Sequence, residues 1–148
     1  MNKWILAITL VSVAVLSGCS LLQGVNDSLE YVNEATDYVN KATTFAEEVP
    51  ALAEQAVSDQ DARVQLEERL TQMKADIQNF NELNPPGVAE DVHQTIVGYN
   101  TTLEQGIDSY LKSIENGEVN PQLLEEYGIL QTVNELSKTL DLLQQIGS

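Results

Sequence analysis

The chain is poor in the side chains that most often carry chemistry. Its 148 residues include one cysteine, one histidine and one tryptophan. A lone cysteine excludes a disulfide framework within the chain. A single histidine argues against a histidine-based metal centre, which needs more than one strong nitrogen or sulfur ligand. Basic residues are also scarce, 7 against 23 acidic, for a net charge of −16. Such a surface repels nucleic acid and anionic headgroups, so no nucleic-acid partner is expected. Aromatic residues make up 5% of the chain, which disfavours stacking platforms for bases or sugars. There is no alternating strand pattern and no glycine-rich phosphate loop. No cofactor site, no catalytic constellation and no metal set is expected, and the chain reads as a non-enzyme.

What is present begins at the N-terminus. Lys3 and the terminal amine form a short positive start. Trp4 to Leu16 follows as thirteen residues without a charge. That is short of the ~20 apolar residues of a membrane-spanning helix. It suits the apolar part of an export signal, ~7–15 residues long. Leu16-Ser17-Gly18-Cys19 comes next.

This tetrapeptide, at this distance from a charged start, resembles a bacterial lipobox. The resemblance implies cleavage between Gly18 and Cys19 and a diacylglycerol on the Cys19 sulfur. It makes residues 1–18 a signal peptide, 19–24 a lipidated tether and 25–148 one helical domain. The competing reading is an ordinary secretory leader or a single-span anchor with an incidental cysteine. Two acyl chains meet the two-signal requirement for stable anchoring. The expected partner is therefore the membrane, through lipid on Cys19. Loss of the leader also removes Lys3 and Trp4, leaving a more acidic mature chain with no tryptophan.

The remainder reads as helix. Tyr31-Val-Asn-Glu-Ala-Thr-Asp37 is followed by Tyr38-Val-Asn-Lys-Ala-Thr-Thr44, with five of seven positions identical. The apolar seam runs Val25, Val32, Val39 and Ala46, with Ala35, Ala42 and Val49 beside it. Tyr31, Tyr38 and Phe45 form a parallel aromatic stripe at the same period. Such stripes are more often packing than ligand contact. Their regularity nevertheless makes this one the candidate contact surface. Pro50 is expected to end or redirect the helix, with Ala51 to Val57 as a short helical turn.

Ser58 to Asp61 predicts an N-terminal cap, with Ser58 as an acceptor. The second helix carries Leu66, Leu70, Met73, Ile77 and Phe80 at spacings of 4, 3, 4 and 3. Asn84-Pro85-Pro86-Gly87 is the clearest loop. A third helix, about Ala89 to Glu115, shows Val92, Ile96, Tyr99, Leu103, Ile107, Tyr110 and Ile114. Gly117 suits a left-handed stop. Asn120-Pro121 restarts the chain, and Gly128 marks where the last helix kinks or splits. The prediction is an all-α antiparallel bundle of about four long helices plus a short one.

Three features invite a functional reading. His93 lies near Glu90 and Asp91 but lacks a recognisable nucleophile or second base, so a surface or boundary position is favoured. Asp27, Glu30, Glu34 and Asp37 fall on one helical stripe. A straight helix cannot easily converge four carboxylates on one cation, so a solvated acidic face is favoured over a calcium or magnesium site. Asn100-Thr101-Thr102 matches a glycosylation tripeptide formally, which is uninformative in a bacterial chain.

The lipobox, the tandem heptads, Phe45-Ala-Glu-Glu-Val-Pro50 and Ile96-Val-Gly-Tyr-Asn100 together resemble small lipoproteins of Bacillus-type Gram-positive bacteria. The resemblance covers nearly the whole chain. It implies the outer face of the cytoplasmic membrane and supplies no functional residue beyond Cys19. In a Gram-negative envelope, Ser20 would permit export to the outer membrane. The leading expectation is a membrane-tethered module acting by contact with an envelope protein or a second copy of itself. The alternative is a binder of cations or small ligands at the acidic surface.

Overall fold

A computed structural model describes the backbone of residues 19–147 and the side chains of residues 26–147. The expected leader, residues 1–18, and the Gly18 side of the cleavage point lie outside the described residues. Among the described residues there is no strand. The helices are α1 (Cys19–Ala56), α2 (Gln60–Asn81), α3 (Glu90–Glu115), α4 (Leu123–Glu126), α5 (Ile129–Ser137) and α6 (Leu140–Ile146). The all-α bundle predicted from periodicity is the observed architecture. Three of its helices are long, and the return segment is three short ones.

Two boundaries differ from expectation. First, α1 is continuous from Cys19, so residues 19–24, set apart as a tether, are helical backbone. Second, α1 runs through Pro50 rather than ending there. A proline inside a helix loses one backbone bond and crowds the preceding turn. Here Val49, Ala53 and Ala56 are all fully buried on one face against the rest of the bundle. Burial on both sides of Pro50 offsets the local cost.

The turn into α2 is short, and its cap is Asp59 rather than Ser58. The Asp59 carboxylate accepts from the N–H groups of Asp61 at 2.8 Å and Ala62 at 3.4 Å. The whole predicted seam of α2, Leu66 to Phe80, is buried. A 3-10 turn at Gly87–Ala89 leads into α3. At the far end of α3, Gly117 has φ 84°, a left-handed stop. The Gly117 and Glu118 N–H groups donate to the carbonyls of Ile114 and Ser113, both at 2.9 Å, which closes the helix end. Gly128, at φ 72°, separates α4 from α5.

α1 packs most extensively on α2 and also meets α5 and α6, while α3 packs on α2 and α5. Tyr31 bonds His93 and Tyr38 bonds Asn100, each pair 62 residues apart. Equal separations mean that α1 and α3 run in the same direction, with α2 returning between them. The bundle thus has a base, where α1 enters and the α2–α3 connection lies, and a far end around residues 57–59 and 116–122. Its core is mostly alanine, leucine, isoleucine and valine.

Candidate functional site

The densest set of polar side chains in the core lies at the base. Tyr31 and Tyr38, one heptad apart on α1, point into the bundle and are 3% and 5% exposed. Phe45, the third member of the stripe, is fully buried. The stripe is therefore core, which corrects the expectation that it is the contact surface. This face of α1 is the one covered by α2 and the return helices α5 and α6, so its largest apolar side chains are enclosed.

His93 is likewise buried, not at the surface or boundary as its acidic neighbours suggested. Its Nδ1 lies 3.2 Å from the Tyr31 hydroxyl. Phe80 is stacked between the rings of Tyr38, at 4.6 Å, and His93, at 5.0 Å. Tyr38 donates to Asn100 Oδ1, and Asn100 Nδ2 donates to Asn81 Oδ1 at 2.8 Å. Asn100 is fully buried, and this bonding satisfies it.

Electrostatics follow burial. Burial pushes the Tyr31 hydroxyl up to about 12, helped by the negative charge of Glu90. Tyr38 is raised further by burial and by Asp76, and the Asn100 bond opposes this. Burial lowers His93 below its ordinary value, with Glu90 opposing. At neutral pH the cluster is a set of uncharged groups bonded to one another. That arrangement joins α1, α2 and α3 through their side chains.

The acidic stripe lies outside this cluster. Asp27, Glu30, Glu34 and Asp37 are all exposed. Glu34 and Asp37 border an open groove of about 220 Å³, with Tyr38, Lys41, Asp76 and Phe80. Lys41 Nζ sits 3.8 Å from Asp76 there. A wider open groove of about 730 Å³ lies further along α1 and α2, lined by Glu48, Leu52, Gln55, Gln65 and Arg69. Arg69 is already engaged, 3.0 Å from Glu48 and over the Phe45 ring at 5.6 Å. Among the described residues no group of three or more histidine, cysteine, aspartate or glutamate side chains is placed to hold a metal ion. No described helix is long and apolar enough to cross a membrane.

Residues 31–146 match a family described as of unknown function, DUF6376. The chain belongs to this family. The matched span starts at Tyr31 and so takes in the whole polar cluster of the base. The chain is also 39% identical over 145 residues to the uncharacterized lipoprotein YybP of Bacillus subtilis (strain 168), covering 97% of this chain and 98% of that protein. The resemblance to Bacillus-type lipoproteins is upheld by this relative, and a lipoprotein of unknown activity agrees with it. No solved structure matches.

Proposed function

We propose that this is a membrane-anchored lipoprotein on the extracytoplasmic face, acylated at Cys19, whose bundle acts by protein contact rather than catalysis. The observation that carries the anchor is the lipobox Leu16–Cys19 behind a charged start and a thirteen-residue apolar run. Likeness to a lipoprotein along the full chain supports it. The contact role draws support from the base cluster, where the hydroxyls of Tyr31 and Tyr38, the His93 ring and the Asn100 amide are bonded to side chains within the bundle. With the aromatic stripe inside, the surface left for a partner is the exposed acidic face of α1, Asp27 to Asp37. Its chemistry selects a basic surface on an envelope protein.

The anchor is tested by labelling cells with radioactive palmitate. Wild type takes up label, and Cys19→Ala takes up none. Label retained by Cys19→Ala overturns the assignment. The contact role is tested by crosslinking in cells. A partner recovered with wild type and lost on reversing Glu30 and Glu34 to lysine supports it. Recovery unchanged by that reversal refutes it.

A second reading, loose cation condensation without a defined site, rests on the exposed carboxylates of Asp27, Glu30, Glu34 and Asp37 along one stripe. Calcium raising the melting temperature more than sodium of equal ionic strength supports it, and equal shifts remove it.

A further inference from the structure

We propose that the α2–α3 connection at the base is a second contact with the membrane, with Val88 touching the lipid, so that the bundle leans on the bilayer instead of standing clear. The inference rests on the reading of Cys19 as the lipid anchor. Residues 83–89, Leu-Asn-Pro-Pro-Gly-Val-Ala, carry no charge in a strongly acidic chain. The other two connections at the opposite end carry Asp59 and Glu118. Val88 is 70% exposed, the highest value among the exposed large hydrophobic residues. Its neighbour Ala89 is fully buried, and the Ala89 N–H donates to the Pro86 carbonyl at 2.8 Å. The 3-10 turn also packs against both α3 and α6. Val88 is therefore held outward by a braced turn that two prolines stiffen.

Its position selects the occupant. Tyr31 meets His93, so the chain around Val88 lies level with α1 just before Tyr31. Leu29, also exposed at 43%, is at that level. Val88, 62 residues on from Asn26, sits seven residues of helix above Cys19, about 10 Å along the axis. The headgroup layer on one side of a bilayer is about 5–8 Å thick. A tilt of the bundle about Cys19 brings the turn onto the lipid. One valine cannot hold a protein on a membrane. The acyl chains hold it, and the valine then binds at high local concentration and fixes the tilt. Asp27, Glu30, Glu82, Glu90 and Asp91 around the base keep the contact shallow and favour zwitterionic lipid.

The test uses tryptophan fluorescence. The leader takes Trp4 with it, so the mature wild type shows tyrosine emission but no tryptophan emission, and this checks cleavage. Val88→Trp and Val57→Trp each add one reporter, the second 53% exposed at the far end. The lipidated variants are reconstituted into phosphatidylcholine vesicles bearing bromine on the acyl chains. Vesicle flotation is scored first, because protein that fails to float overturns the anchor and this proposal with it. With flotation established, the expected result is blue-shifted, quenched emission for Val88→Trp and unchanged emission for Val57→Trp. Emission unchanged for both means a bundle that stands clear. Quenching of both means a bundle that lies flat. Either result overturns the proposal while leaving the anchor intact.

Discussion

The two ends of the bundle bury tyrosines in different ways. At the far end, fully buried Tyr110 donates to the Asn120 carbonyl at 3.1 Å, ten residues away. Tyr127 meets the Ser113 hydroxyl at 3.1 Å, fourteen residues away. At the base, Tyr31 and Tyr38 bond partners 62 residues away on another long helix. The far-end bonds pin the chain that follows α3, as far as the end of α4, back onto α3. The base bonds tie separate helices together. The same residue type therefore does local work at one end and long-range work at the other, and burial alone does not distinguish them.

The largest way to disturb the far end is to fill Gly106. A Cβ there would come within 2.6 Å of the Tyr127 carbonyl oxygen and 3.0 Å of Ile129 Cγ1. A backbone carbonyl cannot rotate aside as a side-chain tip can. Gly106→Ala should cost about 1–3 kcal/mol, toward the upper end, read by urea unfolding. At the base, Asn100→Leu leaves the buried Tyr38 hydroxyl without its acceptor. The expected loss is about 1–3 kcal/mol. Adding Tyr38→Phe should restore part of it, because removing both partners leaves nothing unsatisfied. A double mutant no better than the single would show that the bond is not the cause.

Tyr110→Phe should cost less, about 0.5–1.5 kcal/mol, since the Asn120 carbonyl it frees belongs to a connection that is only partly buried. A loss matching that of Asn100→Leu would erase the distinction between the ends.

The smallest expected effect is in pH dependence, where His93 gives the base an acid response besides the alkaline response of the tyrosines at both ends. His93 is lowered in the folded state, so its contribution is complete above about 6.5 and falls away as pH drops below that value. Tyr31 and Tyr110 are each raised from 10.0 to about 12, so their contribution holds below pH 10 and is lost as pH rises through about 12. The acid limb thus belongs to the base and the alkaline limb to both ends. His93→Phe should flatten the acid slope of melting temperature and leave the alkaline slope alone.

The sequence made the far end easy to read and the base hard. Gly117 and Gly128 announce their roles through local backbone chemistry, and the structure uses both. Asn120-Pro121 instead begins a turn, in which Asn120 Oδ1 accepts from the Gln122 N–H, and α4 starts only at Leu123. At the base the same reading placed Val92 and Tyr99 in the α3 seam because both are apolar. The buried series is instead His93, Ile96, Asn100, Leu103, Ile107, Tyr110 and Ile114, with the small residues Gly106 and Ser113 beside it. Its spacings of 3, 4, 3, 4, 3 and 4 are more regular than the apolar series, and that regularity was the available signal. Two polar residues at core positions look like surface until their partners are known, and those partners sit on other helices. Pro50 was missed for a related reason, since local geometry favours a stop and only tertiary burial overrides it.

The tandem heptad of α1 has a consequence for how the chain finds one structure. Because Tyr31–Asp37 and Tyr38–Thr44 are nearly the same, the repeat alone does not fix which tyrosine of α1 faces which residue of α3. In the native register, the 62-residue spacing sets Phe45 at the level of Ile107. A slip one way would bring Phe45 to Asn100 and strand a buried amide. A slip the other way would bring Tyr38 to Ile107 and strand a buried hydroxyl. Each stranded group costs about 1–3 kcal/mol. A polar residue at a seam position specifies register in paired helices by this means. His93 and Asn100 thereby number the repeats of α1, giving the first and second tyrosine distinct places that the repeat itself cannot assign.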